Sequence, residues 1–151
     1  MLLTELLSID RVRIPLQAKS KDELLRELVS LVTTGSSPEE REQVLQAVRE
    51  REAVLSTGIG YGVAIPHGKS PAVQELSMAA GRSVDPVEFD ALDGQPARLF
   101  FLLVGPESAA GPHIKALSRI SRIVRRDDVR ARLLKAPDEK AFLRALEDAE
   151  A

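Results

Sequence analysis

The chain has no cysteine and no tryptophan, only one tyrosine and four phenylalanines, and two histidines in 151 residues. The absence of cysteine excludes disulfides, thiol nucleophiles and cysteine-ligated metal, and fits a reducing interior. Two histidines without H-x-x-x-H or H-E-x-x-H spacing make a poor transition-metal site, so no metal and no cofactor is expected. An aromatic content of 3% leaves the core to leucine, isoleucine, valine and alanine, and removes the stacking platforms of nucleic-acid binders. A net charge of −2 is too small to imply an electrostatic partner. No G-x-S-x-G elbow is present. The N-terminal Met1-Leu2-Leu3-Thr4-Glu5-Leu6 lacks a basic region and a small-residue cleavage site, so it is not read as a signal peptide. No apolar run approaches the ~20 residues that span a bilayer. The expectation is a cytoplasmic protein with no membrane insertion.

What is present is ordinary for a globular chain: 44% apolar and 29% charged residues. The length predicts one domain, residues 1–151, with a proper core. Leucines at 2, 3, 6 and 7 predict a short helix over 2–8, and the alternation at 11–16 a strand, with Pro15 at its end or at a sheet edge. Ser20 with Glu23, and Ser37-Pro38 with Glu40, read as capping boxes opening two helices. Leu24, Leu25, Leu28, Leu31 and Val32 are the apolar stripe of the first, and Val44, Leu45 and Val48 that of the second, which runs on to Arg51. Residues 75–82 and 85–89 read as two extended pieces, followed by a turn cluster at 91–96. Leu99 to Val104 is a continuous apolar run, expected as a central strand buried on both faces. Gly111-Pro112 opens a helix with Ile114, Leu117, Ile120, Ile123 and Val124 on one stripe. Asp127 or Asp128 is expected to cap a further short helix, and Phe142, Leu143 and Leu146 mark a last one. Strands and helices interleave, which predicts an α/β sandwich with one sheet flanked by helices.

The segment Arg51 to Gly68 stands apart. Gly58, Gly60 and Gly62 alternate through it, a short apolar run follows, and Pro66-His67-Gly68 closes it. It reads as a backbone-rich loop, then a short buried strand that presents an imidazole at its end. Alternating glycines let N–H groups converge on an anion. The dinucleotide fingerprint fails, because the spacing is G-x-G-x-G with a strand after it. The P-loop also fails despite Gly68-Lys69-Ser70, because Val63 stands where that motif needs glycine and Pro71 opposes an immediate helix. His67 suits a nucleophile or proton carrier, against the plainer reading of a ring bonded to a carbonyl. His113, at a helix start, is expected to be neutral, as a hydrogen-bond donor or as an exposed first-turn residue. Arg51 fits a phosphoryl-binding fork or simply a cation at a helix C-terminus. The basic run from Arg119 to Lys135 is interrupted by two aspartates and reads as a solvated helix face rather than a nucleic-acid site.

Arg51-Glu52, with Ser56 through Gly68, resembles the active-site segment of IIA proteins of the bacterial phosphotransferase system, in the fructose/mannitol superfamily that includes the nitrogen-regulatory IIA proteins. Phe89 to Pro96, Leu99 to Val104, and His113 to Leu117 support the likeness, which covers nearly the whole chain. The resemblance implies an α/β sandwich with a mixed sheet between helices. It implies a phosphohistidine carrier in which His67 accepts a phosphoryl group from HPr or its nitrogen-branch counterpart, with His113 beside it and Arg51 on the phosphoryl group. Ser56, Thr57, Gly58, Gly60 and Gly62 are the expected phosphoryl loop. The family points to Nε2 as the reacting nitrogen, which the sequence itself leaves open.

Beyond that point the resemblance divides. A sugar-transport IIA passes the group to a IIB domain, whereas a nitrogen-type IIA regulates target proteins. The lack of fused IIB, HPr or membrane parts, and glycine after His67 where sugar-transport members often carry alanine, both lean towards the regulatory branch. The competing expectations are a IIA-like binding module that is never phosphorylated, and nucleotide binding through Gly68-Lys69-Ser70.

Overall fold

The computed structural model describes residues 2–151; Met1, part of the N-terminal stretch read above, lies outside them. In chain order the elements are α1 (Leu3–Leu6), β1 (Val12–Leu16), α2 (Lys21–Val32), α3 (Pro38–Val54), β2 (Gly58–Gly60), β3 (Val63–Ala64), β4 (His67–Lys69), β5 (Ser77–Val87), β6 (Ala97–Gly105), α4 (Ala110–Val124), α5 (Asp127–Lys135) and α6 (Glu139–Glu150). Short 3-10 turns at Ile9–Arg11 and Glu107–Ala109 lead into β1 and α4. Among the described residues no helix is long and apolar enough to cross a membrane.

The capping chemistry sets the helix starts. Ser20 Oγ accepts from the Glu23 N–H, and Ser37 with Glu40 closes a full reciprocal box over α3, with Pro38 in its first turn. α5 differs from expectation. Its cap residue is Arg126, without a side-chain cap bond, and Asp127 and Asp128 lie inside the first turn. Their carboxylates pair with Arg130 and Arg126 rather than with the helix N–H groups. The first helix is shorter than predicted, because Leu7 and Ser8 are extended. The buried Glu150 carboxylate at the end of α6 stabilises it by accepting from Leu3 N (2.6 Å) and Thr4 N (3.2 Å).

All six strands join one mixed sheet in the order β1-β5-β6-β3-β2, with β4 also paired to β6. β1 lies at an edge, where Pro15 sacrifices no ladder bond. The two extended pieces at 75–82 and 85–89 merge into the single strand β5, antiparallel to β6, with a register shift between Arg82 and Val87 where Pro86 falls. β6 is the predicted central strand. Leu99, Phe101 and Leu103 pack with Ile120, Leu133 and Phe142 of the α4–α6 layer, and Phe100, Leu102 and Val104 pack with Leu24, Leu28 and Val48 of the α2–α3 layer. Both faces are covered, which is why the run reads as continuously apolar.

One edge of β6 is shared by two short strands in succession. β3 pairs with Leu99 and Phe100, and β4 pairs in parallel with Leu103, Val104 and Gly105. Between them the chain breaks at Ile65-Pro66, and Pro66 keeps only its carbonyl in the pattern, accepting from Leu103 N at 3.1 Å. The sequence predicts an imidazole at the end of a strand; in the structure His67 opens the next one. Gly68 lies against α3 so closely that an added Cβ would meet Val48 N at 3.1 Å and the Ala47 carbonyl carbon at 3.2 Å. Those are helix backbone atoms with little freedom to yield. Gly68→Ala is therefore expected to cost about 1–3 kcal/mol in urea unfolding by displacing α3; an unchanged midpoint would contradict this packing.

Candidate functional site

The glycine segment is a hairpin, not an open loop. β2 and β3 pair antiparallel through Gly58↔Ala64 and Gly60↔Val63. The two linking residues, Tyr61 (φ 59°) and Gly62 (φ 75°), both have positive φ, the sign a type I′ turn needs at its two central positions. The hairpin packs on the turn after Phe89: a Cβ on Gly58 would strike Ala91 Cβ at 2.8 Å, and the Leu92 N–H donates to Gly58 O. Arg130 stacks its guanidinium over the Tyr61 ring at 4.7 Å.

Ser56 and Thr57 are spent on holding this arrangement. Ser56 Oγ donates to Phe89 O at 2.7 Å and accepts from Gly58 N at 3.1 Å. Buried Glu52 accepts from both Thr57 N (3.0 Å) and the Thr57 hydroxyl, and pairs with Lys21 Nζ at 3.0 Å. Glu52 thus ties the last turn of α3 to the start of the hairpin. No role for it follows from composition or spacing, because a glutamate at the end of an amphipathic helix reads as solvated.

A depression of about 370 Å³ is lined by residues of α3, β4 and α4. Its polar lining is Arg51, His67, Lys69 and His113, and its apolar lining includes Ala47, Ile114 and Leu117. None of Ser56, Thr57, Gly58, Gly60 or Gly62 lines it. Three elements build it. β4 supplies His67, which pairs with Leu103 and shares its face towards α4. The last turn of α3 brings Arg51, whose Nη1 also donates to Leu55 O at 2.9 Å, so the guanidinium holds a helix-end carbonyl as well as facing the depression. The first turn of α4 brings His113, which is 2% exposed and so not the exposed first-turn residue that the sequence allowed.

His67 Nδ1 lies 2.9 Å from the Ile65 carbonyl oxygen. A carbonyl only accepts, so the neutral ring carries its proton on Nδ1 and its lone pair on Nε2. Burial pushes the His67 pKa below the usual histidine range; Arg51 and Lys69 push it further, while the Ile65 bond and Glu52 oppose. The two imidazoles meet edge to face, with centroids 5.6 Å apart and planes at 66°. Neither ring nitrogen of His113 has a hydrogen-bond partner among the described residues. Burial first, then the neighbouring His67 and Lys69, lower the His113 pKa to about 4.

Lys69 enters the sequence reading only as part of a failed P-loop match. Its signal was the two-residue period of a strand, which places it on the face of His67. Strand β4 itself was invisible, since three residues following a proline carry no alternating apolar pattern.

Residues 5–149 match the family model described as the phosphoenolpyruvate-dependent sugar phosphotransferase system, EIIA 2. The chain belongs to this family. The EIIA chain is 38% identical over 95% of its length to the fructose-specific EIIABC component of Bacillus subtilis, of which it spans 22%. It is 36% identical over 95% of its length to a nitrogen regulatory protein of Bradyrhizobium diazoefficiens, spanning 94% of that protein. Among solved structures, the nitrogen regulatory protein IIA-Ntr of Neisseria meningitidis superposes with a TM-score of 0.89 at 33% identity, covering 95% of this EIIA chain and 98% of that one.

The buried neutral imidazole of this EIIA chain carries a pH signature. An unfolded histidine takes up a proton below about pH 6.5, whereas folded His113 resists protonation until about pH 4. Its stabilising contribution is complete above pH 6.5 and is lost as the pH falls towards 4. His113→Leu should flatten that loss by about 3 kcal/mol between those limits, measured by urea unfolding at each pH. Parallel pH profiles for the two proteins would refute the assignment.

Proposed function

We infer that this chain is a phosphohistidine carrier that accepts a phosphoryl group on His67 Nε2. The observation carrying this reading is the Nδ1 bond to Ile65, which leaves a neutral, fixed imidazole with its lone pair on Nε2, in a depression lined by cations. In an in-line transfer the Nε2 lone pair forms the new N–P bond as the donor's bond to phosphorus breaks and its electron pair returns to the donor nitrogen. The proton stays on Nδ1, hydrogen-bonded to the Ile65 carbonyl, so the ring needs no base. Charge develops on the equatorial oxygens. The Arg51 guanidinium offers a fork to them, and neutral His113, otherwise without a partner, donates one hydrogen bond. The N–P bond keeps a high transfer potential, so the group can be passed on.

The donor in this reading is an HPr-type protein, in the cytoplasm. The acceptor side follows one of two patterns seen in the relatives, a IIB domain for sugar uptake or regulated target proteins. The nitrogen-regulatory pattern is favoured. The likeness to a nitrogen regulatory protein extends over nearly the whole of that relative, and the Neisseria protein of the same description superposes closely. Glycine after His67, where sugar-transport members often carry alanine, leans the same way.

Incubation with phosphoenolpyruvate, enzyme I and an HPr-type donor should label wild-type protein and leave His67→Ala unlabelled. Equal labelling of that variant would remove His67 from the role. Arg51→Ala should accept phosphate roughly 100-fold more slowly, the scale of losing one preorganised donor, while remaining folded and losing no more than about 1 kcal/mol in urea unfolding, the worth of its bond to Leu55 O. His113→Ala should still be labelled but should pass the group on poorly; unchanged transfer kinetics would separate His113 from the chemistry.

A further inference from the structure

The phosphoryl group brings between one and two negative charges into a depression whose formal cations are few. Arg51 supplies one positive charge. His113 supplies none at neutral pH, because burial keeps its ring uncharged. Glu52, the nearest carboxylate on α3, is committed to Thr57 and Lys21 and offers no balance. The remaining cation in the lining is Lys69.

Lys69 stands two residues beyond His67 in β4, on the same face and about 6.6 Å along the strand. Both positions are held by regular pairing to β6, His67 opposite Leu103 and Lys69 opposite Gly105. The intervening Gly68 is pinned against α3, so the strand cannot rotate to separate the two side chains. The four-carbon stem of a lysine lets its ammonium swing through the depression. Its present partner is weakly held: Glu107 Oε2 lies at 3.9 Å, and the Glu107 side chain is 83% exposed. An ion pair of that kind contributes little and is readily exchanged.

We propose that Lys69 is a second phosphoryl-binding cation of this site, resting on Glu107 and moving to the phosphoryl oxygens as His67 is phosphorylated. The inference rests on His67 being the phosphoryl acceptor. Lys69 transfers no proton and forms no covalent bond. It stabilises charge that is greatest while the N–P bond forms, and with Arg51 it sets two side-chain cations at the phosphoryl oxygens, beside the positive charge the ring acquires by keeping its Nδ1 proton. Releasing Glu107 also changes the charge at the turn leading into α4, so phosphorylation is registered on the surface next to the site.

The test measures His67 labelling rates with two donors, an HPr-type phosphoprotein and inorganic phosphoramidate. With the second donor, the Nε2 lone pair forms the N–P bond as the donor's P–N bond breaks and the nitrogen leaves as ammonia, with no protein surface involved. Lys69→Gln should slow labelling by roughly 10- to 100-fold with both donors, the scale of one hydrogen bond to a charged group. The effect should fall on the maximal rate rather than on the donor concentration needed for half-saturation. Lys69→Arg should restore most of the rate, and Glu107→Gln should label at least as fast as wild type. Wild-type rates for Lys69→Gln, or a loss confined to the protein donor, would overturn the proposal while leaving the carrier reading intact. An unlabelled wild-type protein would remove both.

Discussion

The hydrogen bond from His67 Nδ1 to the Ile65 carbonyl depends on a break in the sheet. Pro66 interrupts the strand pairing along β6, and the Ile65 carbonyl next to it becomes available to a side chain. The ring that follows is then fixed in orientation and in tautomer by its own backbone, two residues away. A free imidazole populates both tautomers and rotates; this one has a single arrangement before any partner arrives. Preorganisation of that kind is what the proposed phosphoryl transfer requires, since positioning rather than covalent assistance supplies most of the rate of such a step.

The two-faced sheet explains how the remaining groups reach the ring. β6 is buried on both sides, so α3 and α4 lie on opposite faces of the same strand. Gly68 lets α3 approach from one side until its last turn sets Arg51 at the depression. On the other side α4 begins just after β6 ends, and its first turn brings His113 against His67. A buried imidazole with both nitrogens unpartnered costs about 1–3 kcal/mol. The dense packing of β6 against both helix layers offsets a penalty that a looser fold would relieve by moving the ring.

Much of this is legible in the sequence where pattern and physics agree. The Ser37 capping box, the 3.6-residue stripe of α2 and the apolar run of β6 each state their structure directly, whereas at Ser20 only the serine half of the expected box forms. The glycine segment is harder, because glycines at alternate positions suit both an anion loop and a tight hairpin. What decides between them is the positive φ at Tyr61 and Gly62 and the contact of Gly58 with Ala91, neither of which a spacing rule encodes. The link between Glu52, Thr57 and Lys21 joins residues that meet only after α2 and α3 have packed. Burial of His113 is likewise a tertiary fact, set by where α4 starts relative to β6. Lys69 was concealed differently: a two-residue strand period is visible only once β4 is known to be a strand.

The fixed tautomer is the most consequential feature of the site, and the proposed phosphorylation would report on it directly. Uniformly nitrogen-15-labelled protein, phosphorylated from phosphoenolpyruvate through enzyme I and an HPr-type donor, should show by imidazole nitrogen and phosphorus NMR a phosphoryl group on Nε2 of His67. The Nδ1 proton should remain in place and hydrogen-bonded. Phosphorylation on Nδ1, or on a residue other than His67, would contradict the account.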